Sequence, residues 1–187
     1  MRLYKEKSGF TLIEILVSSF ILILVVVAAS QMYVTASSAQ RRAYGKQNAL
    51  DSSRYALEYM GRAIRQSTIP PDAFNVNNQI ELHHPDATKC PGGNAPCSVY
   101  YRINSGRIQE SLVALNNSPT NWQNITEITS VQVVTLRFTG SAQDSGVQPK
   151  VTVAMTIRPA LQNPNEESLV RIQTTITSRD PRWLSTQ

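Results

Sequence analysis

The hydrophobic positions of this chain fall into two regimes. From Phe10 to Ala29 it reads FTLIEILVSSFILILVVVAA, apolar throughout except for Thr11, two serines and one acid, Glu14. As a helix rising about 1.5 Å per residue, this run spans roughly 30 Å, the thickness of a bilayer's hydrocarbon core. No proline occurs between Met1 and Ile69, and the first glycine after Gly9 is Gly45, so the helix is predicted to continue beyond the apolar run. Ala29, Ala36, Ala43, Leu50, Leu57 and Ile64 recur every seven residues, giving a narrow apolar stripe with Arg41, Arg42, Lys46, Asp51, Arg54 and Arg62 mostly off it. Leu50 to Ile64, the bulky half of the stripe, is expected to pack on the chain's own domain. The small-residue half, Ala29 to Ala43, is expected to pack against neighbouring subunits. Pro70-Pro71 stops the helix.

Beyond the prolines the period changes from 3.6 to 2. A short strand is predicted at Gln79 to His83. SVYYRI and RIQESL flank Asn104-Ser105-Gly106 as a hairpin. NNSPTN, from Asn116 to Asn121, and the turn Asp144-Ser145-Gly146 read as surface loops. Val131 to Phe138, Lys150 to Arg158 and Leu169 to Arg179 are three longer strands. In the second of these, Val151, Val153, Met155 and Ile157 alternate with polar neighbours, as in an antiparallel sheet with one wet face. The expected fold class is α+β: a long N-terminal helix packed on an antiparallel sheet around a single core. Four segments follow: a leader over 1–9, a membrane helix over 10–30, an extramembrane helix over 31–68 and a β-rich domain over 69–187.

The chain has 187 residues, with a formal charge of +5 and a mean hydropathy of −0.23. Setting aside Arg2, Lys5, Lys7 and Glu6 of the leader leaves 15 bases against 12 acids, a net +3. That is too mild to argue for a nucleic-acid surface. The only cysteines, Cys90 and Cys97, bracket PGGNAP. The prolines and glycines between them make a tight loop, and a disulfide is expected, implying an oxidising compartment. Metal binding and free thiols are the alternatives. Two cysteines alone make an incomplete zinc site, and neighbouring His83 and His84 point to opposite faces of a strand.

Three fates compete for the first thirty residues: a signal peptide cut near Ala28-Ala29-Ser30, an uncleaved anchor, or cleavage between Gly9 and Phe10 that keeps the helix. Glu14 separates them. A carboxylate in a membrane helix costs about 2.5–3.5 kcal/mol at the centre and less near an end, and neither of the first two fates uses it. Cleavage after Gly9 creates a cation, the α-amino group of Phe10, and in a low dielectric Glu14 can pair with that amine on a neighbouring subunit.

SGFTLIEILVSSFIL resembles the signal of type IV prepilins and pseudopilins: a short basic leader, glycine, then Phe-Thr-Leu-Ile-Glu and an apolar helix. The resemblance covers about thirty residues. It implies that a prepilin peptidase cuts between Gly9 and Phe10 and N-methylates Phe10, and that Glu14 guides docking into a growing filament. The segment RYALEYMGRAIRQS and, loosely, TTITSRDPR resemble PilW-type minor pilins. The implied partners are major and minor pilins, the peptidase and the inner membrane. The implied location is the inner membrane, with the body periplasmic, and then the pilus surface; the implied role is pilus assembly and twitching motility. The lack of a proline in the membrane half departs from many major pilins.

No Ser/His/Asp constellation, phosphate loop or ligand cluster stands out, so neither an enzyme nor a cofactor is expected. His83 and His84 read as strand-end surface residues. Tyr100-Tyr101-Arg102 has the composition of a single-stranded-DNA patch, but alternation splits the two tyrosines between core and surface, and nucleic acid is not an expected partner. Three functions are carried forward: a minor pilin of a priming or tip complex, a type II secretion pseudopilin, and a DNA-uptake receptor.

Overall fold

A computed structural model describes residues 9–74, 78–115, 117–129, 131–142, 148–160 and 169–179. The leader up to Ser8, Asn116 and the expected turn at Asp144-Ser145-Gly146 lie outside the described residues. The chain divides into two compact units, Met1–Ala43 and Tyr44–Gln187.

One helix, α1 (Leu12–Gln66), contributes to both units. In the first unit its side chains are exposed nearly throughout, and this part is long and apolar enough to cross a membrane. In the second unit, α1 buries Gly45, Ala49, Ser53, Ala56, Leu57, Met60, Gly61 and Ile64. The bulky half of the stripe packs on the body as expected, through Leu57, Met60 and Ile64, and small residues join it there. The packed half is itself built largely of small residues, and Leu50 is only partly buried. At Gly61 the reason is close approach, since a Cβ there would stand 3.3 Å from Ile176 Cδ1.

Seven strands follow: β1 (Gln79–His84), β2 (Cys97–Asn104), β3 (Arg107–Ala114), β4 (Gln123–Asn124), β5 (Val131–Ser141), β6 (Lys150–Pro159) and β7 (Val170–Thr177). They form two antiparallel sheets, β1-β2-β3-β4 and β5-β6-β7, rather than one. The ladder breaks because β3's outer neighbour is only two residues long. The segment before β4 contains Pro119, which cannot donate to a ladder, and the chain starts a new sheet at Val131. A single apolar core survives the split. Ile80, Leu82, Val99 and Ile108 of the first sheet join Val133, Leu136, Val153 and Ile157 of the second, around Met60 and Ile64 of α1.

Local chemistry explains the joints. Asn104 pairs with Arg107 across Ser105 and Gly106, at φ +49° and +74°. Two consecutive positive φ values are the signature of a type I′ hairpin turn, whose twist matches that of the strands. Gly140 faces the β6 backbone so closely that a Cβ there would lie 1.9 Å from the carbonyl oxygen of Lys150. Past β7 the chain is stitched back to the end of α1: Arg179 N donates to Arg65 O at 3.0 Å, and Ser178 Oγ to Ser67 O at 2.7 Å across 111 residues.

Both Tyr100 and Tyr101 are buried, against the expected split between core and surface. Tyr101 packs in the core. Tyr100, on the opposite face of β2, is covered by the loop after β3, where its hydroxyl donates to Asn117 O at 3.4 Å and Ser111 Oγ donates to Thr120 O. Neither ring is available to stack a base.

Candidate functional site

The N-terminal segment is laid out by helix-capping chemistry. Thr11 precedes α1, and the backbone N–H of Glu14 donates to Thr11 Oγ1 at 3.3 Å as well as to Thr11 O at 3.1 Å. Thr-x-x-Glu at this place is the capping-box pattern, which uses side chains to satisfy donors at a helix start. Phe10 and Ile15 occupy the two staple positions around it and line one shallow hollow of about 370 Å³ with Glu14, Ser18, Ser19 and Leu22. A carboxylate in the first turn also sits at the positive end of the helix dipole. This second, local role for Glu14 was readable in the sequence from the threonine three positions earlier. Gly9 is open on all sides, and Phe10 is 79% exposed, so the Gly9-Phe10 bond is accessible.

Cys90 and Cys97 form a disulfide, with Cα atoms 5.6 Å apart. The bridge closes the loop between β1 and β2 and ties Lys89 to the strand residue that pairs with His84. Metal binding by the cysteines is thereby excluded in this structure, and among the described residues no cluster of three or more metal-ligating side chains occurs.

The histidines are the clearest miss of the sequence reading. His83 is partly buried, with Nε2 3.4 Å from Glu81 Oε1. His84 is not at the surface: it is 5% exposed, and its Nδ1 accepts the backbone N–H of Asp86 at 3.1 Å. Burial pushes the His84 imidazole below its ordinary pKa, and Lys89 pushes in the same direction, against weaker pulls from Asp86 and Glu110. With Nδ1 accepting, the neutral ring carries its proton on Nε2.

His84 lines two adjoining hollows of the second unit. One, about 590 Å³, has Tyr59, Ala63, Val99, Tyr101 and Leu112 on its wall, with Glu110 among them. Both Glu110 oxygens are occupied: Tyr101 donates to Oε1 at 2.7 Å and Tyr59 to Oε2 at 2.9 Å. Desolvation and the carboxylate together push the Tyr59 phenol up to about 12 and the Tyr101 phenol higher still. The other hollow, about 510 Å³, is bounded by Arg62, Arg65, Lys89 and Arg179. The two share Arg62, Gln66, His84 and Lys89.

A protein-family model described as "Prokaryotic N-terminal methylation motif" matches residues 4–30. That stretch is a type IV pilin-type prepilin signal, and it contains Gly9, Phe10 and Glu14. Joined to one long apolar N-terminal helix and a body of antiparallel sheets, it supports a type IV pilin- or pseudopilin-like protein, and the helix fits membrane anchoring. No curated protein and no solved structure matches the chain.

Proposed function

We propose that the chain is a minor type IV pilin of the PilW type. On this reading it is cut between Gly9 and Phe10, N-methylated at Phe10, held in the inner membrane by α1, and built into a pilus with other pilins in a priming or tip complex. The observation that carries the reading is the match of residues 4–30 to the methylation motif, on a helix whose apolar half has no cover of its own. The proposed mechanism is electrostatic: Glu14 pairs with the new amine of Phe10 on a neighbouring subunit in a medium where water is absent, so an uncompensated charge opposes misplacement.

The capping box makes the test sharp. Glutamine also serves the last position of such a box, so Glu14→Gln keeps the helix start and removes only the charge. Incorporation into sheared surface pili is expected to be lost in Glu14→Gln and in Glu14→Ala alike. Normal incorporation of Glu14→Gln would refute the pairing. Residence in a secretion apparatus, with a secretion defect and no protein in sheared pili, would replace the pilus with a type II machine.

A further inference from the structure

The two adjoining hollows beside His84 are assembled from distant parts of the chain. Arg62 and Arg65 lie on the last turns of α1, Lys89 on the disulfide-bridged loop, and Arg179 just past β7. Cations near a helix C-terminus ordinarily complement its dipole, which accounts for Arg62 and Arg65. It does not account for Lys89 and Arg179, which arrive from separate elements.

Opposing charge in the basic hollow is scarce. Arg62 pairs with Glu58 at 2.6 Å on the exposed side of α1. Among the described residues, the acid lining the hollow is Asp86, whose Oδ1 accepts both the backbone N–H and the hydroxyl of Thr88, at 2.9 and 2.7 Å. Lys89 Nζ donates to a neutral partner, Gln66 Oε1, at 3.2 Å. Like charges gathered in a concavity with low-dielectric walls raise the local potential for an anion; the His84 imidazole beside them is held low chiefly by its burial, with Lys89 adding in the same direction. The ring is nearly buried and supplies one further N–H donor. Next to these groups lies a wall of a different kind, presented by Tyr59, Ala63 and Leu112, and the nearby Glu110 carboxylate has both oxygens engaged by phenol hydroxyls.

We propose that this double hollow binds a phosphate monoester on an apolar carrier. The phosphate sits among Arg62, Arg65, Lys89 and Arg179, and the carrier lies on the wall of Tyr59, Ala63 and Leu112. With Arg62 paired to Glu58 and the Asp86 carboxylate at the rim, the remaining excess of cations suits a dianion better than a single carboxylate, and guanidinium forks match phosphate oxygens two at a time. The disulfide has a place in this scheme, because it fixes the loop that presents Lys89. The proposal stands on the body alone and does not depend on the pilus reading.

The test is calorimetric titration of the full-length protein in a neutral detergent with phenyl phosphate, inorganic phosphate, benzoate and phenol. Phenyl phosphate is expected to bind at least about tenfold more tightly than each of the others, the step that separates a two-part site from either part alone. The double variant Arg65→Gln/Lys89→Gln, on exposed side chains, is expected to reduce phenyl phosphate to the affinity of phenol, and Arg179→Gln to weaken it in the same direction. Equal binding of phenol and phenyl phosphate, no binding of either, or undiminished binding by a folded double variant would each overturn the proposal. Competition by phosphatidic acid added to the micelle assigns the phosphate to a lipid headgroup; undisturbed binding assigns it to a soluble ester.

Discussion

The hydroxyl of Tyr59 on α1 donates to the carboxylate of Glu110 on β3 at 2.9 Å, joining residues 51 positions apart. The other carboxylate oxygen takes the hydroxyl of Tyr101, so one acid ties the helix to the first sheet and satisfies a fully buried phenol. Replacing Glu110 by Ala leaves the Tyr101 hydroxyl without its acceptor, and is expected to cost about 1–3 kcal/mol in thermal or denaturant unfolding. The conservative Tyr59→Phe change touches a partly exposed bond and is expected to cost about 1 kcal/mol or less.

The same pair sets an alkaline limit. The folded chain keeps phenol protons on Tyr59 and Tyr101 that the unfolded chain releases near 10.0. Stability contributed by these groups is therefore present in full below that value and lost as pH rises through it towards about 12 for Tyr59. Phenolate absorbance of Glu110→Gln is expected to rise at lower pH than in the parent, since the carboxylate's charge no longer opposes ionisation.

His84 sets a limit on the acid side. Its folded pKa is depressed below the ordinary 6.5, so the unfolded chain binds more protons between the two values. Its contribution is complete above 6.5 and declines as pH falls through that window. His84→Asn retains an acceptor for the Asp86 N–H and cannot charge. The fall in melting temperature between neutral pH and about pH 5 is expected to be smaller in this variant than in the parent.

Gly140 is required by its neighbour. Since a Cβ would meet the Lys150 carbonyl at 1.9 Å and the Phe74 ring at 3.0 Å, Gly140→Ala has to push the β5–β6 ladder apart. The expected loss is about 3 kcal/mol, at the upper end of overpacking, read as a lowered unfolding midpoint.

Removing the Cys90–Cys97 bridge by a double Ser substitution frees a loop with a sequence separation of 7. Loop-closure entropy for so short a ring amounts to about 2–3 kcal/mol. A comparable loss of stability is expected on adding a thiol reductant to the parent and none on adding it to the double variant.

Much of the architecture was legible. The absence of proline before Ile69 gave the length of α1, Pro70-Pro71 its end, and alternation the cores of β5, β6 and β7. Asn104-Ser105-Gly106 gave the hairpin, because left-handed backbone needs such residues. What stayed hidden was tertiary. The second sheet depends on where a ladder fails, and that failure lies in a loop. Tyr100 is buried by a segment whose path strand alternation does not encode. The packed stripe of α1 was read only in part, because Gly61 looks like a gap in an apolar pattern, whereas Ile176 of β7 comes close there. The N-terminal methylation motif was legible around Gly9, Phe10 and Glu14, though the Thr11 cap was overlooked. The hollow beside His84 gathers side chains from four elements and has no local signature.

The ties from Gly61, Arg65 and Ser67 to Ile176, Arg179 and Ser178 set an order of events during synthesis. Strand β7, which meets the helix at Gly61, follows the other strands in the chain, so this part of the helix face is closed only after they have been made. Closure of the body at this seam is a long-range step that waits on its most distant contacts.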